Sequence, residues 1–247
     1  MSQHLWVHLF LILFASYIFS DFLLQQYGSE KKENAFWHLL KHGFLHGIVA
    51  YLLVGDWMAI GIVPLMAAIH MCVDKATAHL EPGPASFLMI RVLHVILLAI
   101  LAILFYSFHV ECYWLSLFGA FFELTLVFLS GFMLSVFTTS TYLALRLQPY
   151  LSAMRSGDNN FEERGLKNGG RLIGRLERAL IFLFTLSGHL MAVGFLVTAK
   201  SILRFGELKD GSNRKEAEYV IIGTLYSFFL ALLVSMGTVW LIKALTL

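Results

Sequence analysis

Apolar residues in this chain run in long blocks separated by short polar punctuation, instead of the alternating or three-to-four spacing of a half-buried element in a soluble fold. A helix needs about 20 mostly apolar residues to cross a bilayer. About seven blocks approach that length: 4–24, 38–54, 57–73, 87–108, 115–143, 178–199 and 219–243. The second and third are short and joined only through Gly55 and Asp56, which predicts a helical hairpin. The fifth is long enough for a tilted helix or for an amphipathic extension through Thr138 to Leu147. The first has no basic start and runs directly into Asp21 and Gln25, so it predicts a retained helix and not a cleaved signal. The polar stretch 148–172 is opened by Pro149 and contains Arg155-Ser156-Gly157-Asp158-Asn159-Asn160. It predicts a soluble linker between a five-helix half, 1–147, and a two-helix half, 173–247. The expected fold is an all-α polytopic transmembrane helical bundle.

Composition strengthens this reading. Hydrophobic residues make up 58% of the chain and charged residues only 14%, too few polar side chains to coat a water-soluble globule. A net charge of +2 gives no basis for a nucleic-acid partner; membrane lipids are the expected surroundings. Cys72 and Cys112 stand far apart, without metal-type or disulfide-framework spacing.

Lysine and arginine report topology. With seven crossings, Lys31, Lys32, Lys75, Arg146, Arg155, Arg164, Lys167, Arg171, Arg175 and Lys243 share one side. Lys200, Arg204, Lys209, Arg214 and Lys215 fall on the other. The majority predicts a cytoplasmic linker and C-terminus with the N-terminus outside, and the basic 200–215 loop dissents from it.

Ionisable side chains inside a bilayer are costly and therefore mark functional sites. Asp21 and Gln25 close the first block. His38, His42 and His46 enter the second from the same side, and at 100° per residue they share one helix face. His70 and Asp74 return to that side on the third block, and Arg91 and His94 enter from it on the fourth. Four consecutive helices thus deliver polar groups to one leaflet. Imidazoles one turn apart can reach a single ion, and a carboxylate adds a hard oxygen and negative charge. His42, His46, His70 and Asp74 are the expected ligands of Zn or Mn. Asp21 is the expected general base toward metal-bound water, with Gln25, Lys75, Arg91 and His94 around them or at the substrate. A purely structural polar cluster and a proton or ion pathway are the competing readings of the same residues.

Elsewhere, His4 and His8 lie about 20 Å along the first helix from Asp21, too far to join the cluster. Glu123 is expected to pair with His189 or Arg91. Arg171, Arg175 and Arg178 surround Glu177 at helical spacing; they suit ordinary anchoring at a membrane surface, or an anionic lipid headgroup, because guanidinium forks match phosphate. Gly170, Gly174, Gly188, Gly194 and Gly223 are expected to permit close helix approach.

The stretches Asp21-Phe-Leu-Leu-Gln25, His70-Met-Cys-Val-Asp-Lys75, Gly170-Arg-Leu-Ile-Gly-Arg-Leu-Glu-Arg178, Lys200-Ser-Ile-Leu-Arg-Phe-Gly206 and Glu218-Tyr-Val-Ile-Ile-Gly-Thr-Leu225 resemble a bacterial family of integral membrane proteins described only as a domain of unknown function. The resemblance covers nearly the whole chain and implies a bacterial inner-membrane location. The His70-x-x-x-Asp74 element alone is also similar to one in membrane-bound metal-dependent hydrolases. Two positions depart from the family pattern. Tyr17 stands where relatives carry histidine, and Ile90-Arg91 stands where they carry Asp-Gln. The expected function is metal-dependent hydrolysis of a lipid or other interfacial substrate. A transporter or proton-pathway protein and a non-enzymatic scaffold or partner-binding protein are the alternatives.

Overall fold

The computed structural model describes residues 5–27, 35–155, 169–207 and 214–246, with the side chains at several helix ends excluded, among them Gln25 and His38. Every described element is helical: α1 (Leu5–Tyr27), α2 (Ala35–Val54), α3 (Ile62–Thr77), α4 (Pro84–Ser107), α5 (Tyr113–Phe118), α6 (Ala120–Met133), a π-helical turn (Leu134–Thr138), α7 (Thr139–Arg155), α8 (Gly169–Leu186), α9 (Leu190–Glu207) and α10 (Arg214–Thr246). By length and composition, four stretches can cross a membrane: Leu5–Leu24, Pro84–Ser107, Ala120–Ser152 and Glu218–Thr246. Leu39–Val54 and Leu190–Ile202 are apolar but shorter. The chain is therefore an all-α protein of membrane character. It divides into two compact units, Met1–Met133 with Ala244–Leu247, and Leu134–Lys243.

In the first unit α1 is the central helix, packing on α2, α4 and α6. Leu9, Ile12 and Leu13 of α1 are fully buried, as are Met66 of α3 and Leu98 of α4. The helical hairpin is present, and two glycines that the sequence reading passed over make it tight. A Cβ on Gly43 would stand 2.8 Å from the Ala67 carbonyl oxygen, and one on Gly47 would strike the backbone of Val63. Only glycine lets the two backbones approach so closely. Gly55, at φ 73°, ends α2 in the left-handed region. The turn is then held by Asp56, whose carboxylate accepts from the amides of Met58 (3.0 Å) and Glu111 (3.3 Å), while the Trp114 indole donates to the Leu52 carbonyl at 2.7 Å. At the opposite end, α4 begins at Pro84, preorganised for a first helical position.

Two expectations change. The fifth block is interrupted at Gly119, φ 57°, so that α5 is a separate short helix and the long run begins at Ala120. More consequentially, the sixth block, 178–199, is not one helix. It folds back at Gly188, φ 75°, where α8 ends and α9 begins. Polarity did not announce this turn, because Ser187 and His189 are the only polar residues flanking it.

In the second unit, α8 and α9 pack together around Ile181 and Val193, with Phe228 and Ala231 of α10 in the same cluster. Pro149 lies inside α7 and does not open a linker, and residues 156–168 of the predicted linker lie outside the described residues. Among the described residues, a Cβ on Gly170, Gly188 or Gly194 would meet nothing within 4 Å, so no close helix approach is seen at these glycines. Gly174 and Gly223 adjoin only side chains, those of Arg178 and Leu147.

Candidate functional site

The first unit gathers Tyr17 and Asp21 of α1, His42 and His46 of α2, His70 and Asp74 of α3, and Arg91 and His94 of α4 into one cluster. His46 and His70 stack with ring centroids 3.8 Å apart, and His70 and His94 lie 4.6 Å apart. From the sequence, Tyr17 stands out only as a departure from the resembled pattern and not as a member of the cluster. Its ring nevertheless stands 5.6, 5.7 and 5.2 Å from those of His46, His70 and His94, at the centre of the group. A tyrosine one turn before an aspartate that begins a polar cluster was the available signal.

Burial is severe. His46 is 0% and His70 1% exposed, and none of their four ring nitrogens has a hydrogen-bond partner; nor does Nε2 of His94. A buried polar atom left unsatisfied costs about 1–3 kcal/mol, and native structures tolerate few. Such atoms are concentrated here on three adjacent imidazoles.

Two further imidazoles or ring positions are pinned. His42 Nδ1 lies 3.2 Å from Asp74 Oδ2, and His94 Nδ1 lies 2.9 Å from the Ile90 carbonyl oxygen. The Ile90 carbonyl on Nδ1 of His94 fixes that ring's tautomer and leaves its Nε2 as a lone-pair nitrogen, the arrangement found behind metal-bound histidines. Among the described residues, one ligand atom each from Asp21, His42 and His46 lies within 4.8 Å of the others. Donors on a tetrahedral ion at about 2.0–2.2 Å sit somewhat closer than that, so a modest contraction would bring the three together. His70 stacks on His46 but belongs to no such triplet among the described residues, and Asp74 Oδ2 contacts His42 Nδ1.

One feature opposes a cation. Arg91 Nη1 forms an ion pair with Asp21 Oδ2 and donates a 2.5 Å hydrogen bond to the Tyr17 hydroxyl. A carboxylate has two oxygens, so Asp21 can hold the guanidinium with one and a metal with the other. Lys75, one residue beyond Asp74, is exposed.

A second polar contact lies at the other end of α1. Glu123, expected to pair with His189 or Arg91, instead lies 2.7 Å from His8 Nδ1. The two residues are distant in sequence and meet only because α6 packs on α1. Between this pair and the cluster stand Leu9, Ile12 and Leu13 of α1 and Leu98, Leu101 and Phe105 of α4, all buried.

The three arginines of α8 separate in role. Arg178 is buried, Arg175 lies over the Phe137 ring at 5.1 Å, and Arg171 is exposed beside a cavity in the second unit. Lys200 Nζ reaches Glu177 Oε2 at 2.5 Å, a pairing made possible by the turn at Gly188.

In comparisons with known proteins, no family model, curated protein or solved structure shows a significant match to this chain.

Proposed function

We propose that this chain is a membrane-embedded protein holding a divalent transition metal, zinc or manganese, and using it for hydrolysis of a lipid or other interfacial substrate. The observation that carries the reading is the set of buried, unpartnered nitrogens on His46 and His70. Asp21, His42 and His46 are the donors best placed for the ion, with Asp74 orienting His42. A metal held by three protein donors would leave a position for water and would bring that water's pKa near 7. His70 and His94 would serve as hydrogen-bonding groups beside it, and Arg91 would supply a cation for an anionic substrate. The apolar layer between this cluster and the His8–Glu123 pair weighs against a proton pathway across the unit.

The turn at Gly188 supports a membrane arrangement as part of this proposal. If the other six apolar blocks each cross, folding α8 and α9 into a hairpin gives an even number of crossings, whether both helices span or both enter and return. Lys200, Arg204, Lys209, Arg214 and Lys215 then join Lys31, Lys32, Lys75, Arg146, Arg155, Arg164, Lys167, Arg171 and Arg175 on one side, leaving only Lys243 opposite. On this reading the dissent in the charge distribution disappears, and the histidine cluster would lie in the cytoplasmic leaflet. The likeness to an uncharacterised bacterial membrane family agrees with such a placement in the inner membrane.

The test is elemental analysis of detergent-purified wild type beside His42→Ala and His46→Ala, from cells grown with zinc and manganese. The expected result is about one equivalent of metal in the wild type and its loss from both variants, with the variants still monodisperse. A metal-free wild type overturns the proposal.

A further inference from the structure

The second unit contains a cavity of about 350 Å³ lined by residues of α7, α8, α9 and α10, a size usual for small-ligand sites. Its walls are apolar, including Leu143, Leu147, Ile173 and Val220, and they meet a buried cation, Arg178, 3% exposed. The guanidinium is positioned on neutral oxygens: Nη1 donates to Ser227 Oγ at 2.8 Å, and Nη2 donates to the Val136 carbonyl at 3.1 Å and to Ser140 Oγ. Val136 lies in the π-helical turn, and wide turns of this kind release backbone carbonyls from the regular ladder.

Charge is not balanced here. The carboxylate beside Arg178 in sequence, Glu177, is engaged by Lys200, and among the described residues Arg178 has no carboxylate in ion-pair contact. A guanidinium has five N–H groups; three are used, and Nε is buried without a partner. A buried, uncompensated cation in an apolar setting is strongly unfavourable unless an anion meets it. Among the described lining residues, Arg171, Arg178 and Lys200 stand against one carboxylate, Glu177, so their sum is cationic. Gly174, one turn before Arg178, keeps the approach open: a Cβ there would stand 3.2 Å from Arg178 Nη1.

We propose that this cavity binds a single-chain anionic amphiphile, its acid group on Arg178 and its hydrocarbon along Leu143, Leu147, Ile173 and Val220. Carboxylate and phosphate share the oxyanion geometry a guanidinium recognises, so a fatty acid and a monoacyl phosphate lipid are the two sources of one ligand chemistry. The site is separate from the histidine cluster, and its occupancy does not depend on a metal.

The experiment uses the full chain in nanodiscs of zwitterionic lipid, titrated with oleate, with oleoyl lysophosphatidic acid and with uncharged monoolein, and read by native mass spectrometry. One equivalent of at least one anionic probe should bind, at least tenfold more tightly than monoolein; which probe binds better identifies the headgroup. Arg178→Gln should abolish that preference. Gly174→Leu, which leaves the cation and fills its approach, should weaken anionic binding at least tenfold and guards against misfolding of the arginine variant. Wild type that binds neither anion, or binds monoolein equally, overturns the proposal, as does undiminished binding by a folded Gly174→Leu variant.

Discussion

Arg91 of α4 donates a hydrogen bond to the Tyr17 hydroxyl of α1 at 2.5 Å, and the same guanidinium pairs with Asp21 one turn further along. Tyr17 and Arg91 therefore meet across two helices as one local unit, a phenol and a guanidinium together, whose effect on a cation would fall on Asp21.

Removing that guanidinium should strengthen metal binding. Arg91→Gln keeps a donor near Tyr17 while relieving a like-charge contact, and an increase in zinc affinity of about tenfold, about 1.4 kcal/mol, is expected by competition with a chelating dye. Unchanged or weaker affinity in a folded variant would remove Asp21 from the donor set.

Asp74 and His46 should differ in kind. Asp74→Ala removes the partner of His42 Nδ1 and should lower metal affinity by about 10- to 100-fold without abolishing it. His46→Ala should abolish stoichiometric binding. Equal effects in metal titrations of the two variants would mean that Asp74 is itself a ligand.

The glycines make opposite predictions in the two units. Gly47→Val forces a side chain into the backbone of α3 and should prevent recovery of monodisperse protein, because neither backbone can yield without separating α2 from α3. Gly194→Ala meets nothing and gains helix propensity, so its thermal transition in detergent should be unchanged or slightly raised.

With the even number of crossings and outside N-terminus proposed above, a C-terminal alkaline phosphatase fusion in a bacterial host should be active and a C-terminal green fluorescent protein dark. The reverse pattern would require α8 and α9 to act as a single crossing.

Burial pushes the Cys112 thiol, in the turn between α4 and α5, up to about 12. Its thiolate is therefore scarce near neutrality, and iodoacetamide at pH 8 should label Cys112 only after denaturation. The folded state favours the protonated thiol, so this contribution to stability is full below about pH 9, the unfolded value, and is lost as pH rises toward 12.

Much of this was legible in the letters, for definite reasons. Alternation of crossings sends the ends of α1 and α3 and the starts of α2 and α4 to one side, and the one-turn spacing of His42 and His46, and of His70 and Asp74, puts each pair on one helix face. That is how Asp21, Arg91 and His94 come to meet them. Depth can be read from sequence, whereas which nitrogen faces which carboxylate depends on helix rotation, so the placing of Asp74 against His42 and of Asp21 beside His46 was hidden. The turn at Gly188 escaped because apolar residues continue on both sides of it, and hydropathy cannot distinguish one crossing from two helices folded together. Glu123 and His8 could not be paired from sequence because nothing local links them.

The layer of Leu9, Ile12 and Leu13 keeps the two polar ends of α1 apart. With α1 crossing a bilayer as proposed, a charge passing between His8 and Tyr17 would have to move through dry apolar packing and through part of the membrane field, which acts at about 2.3 kcal/mol per charge per 100 mV.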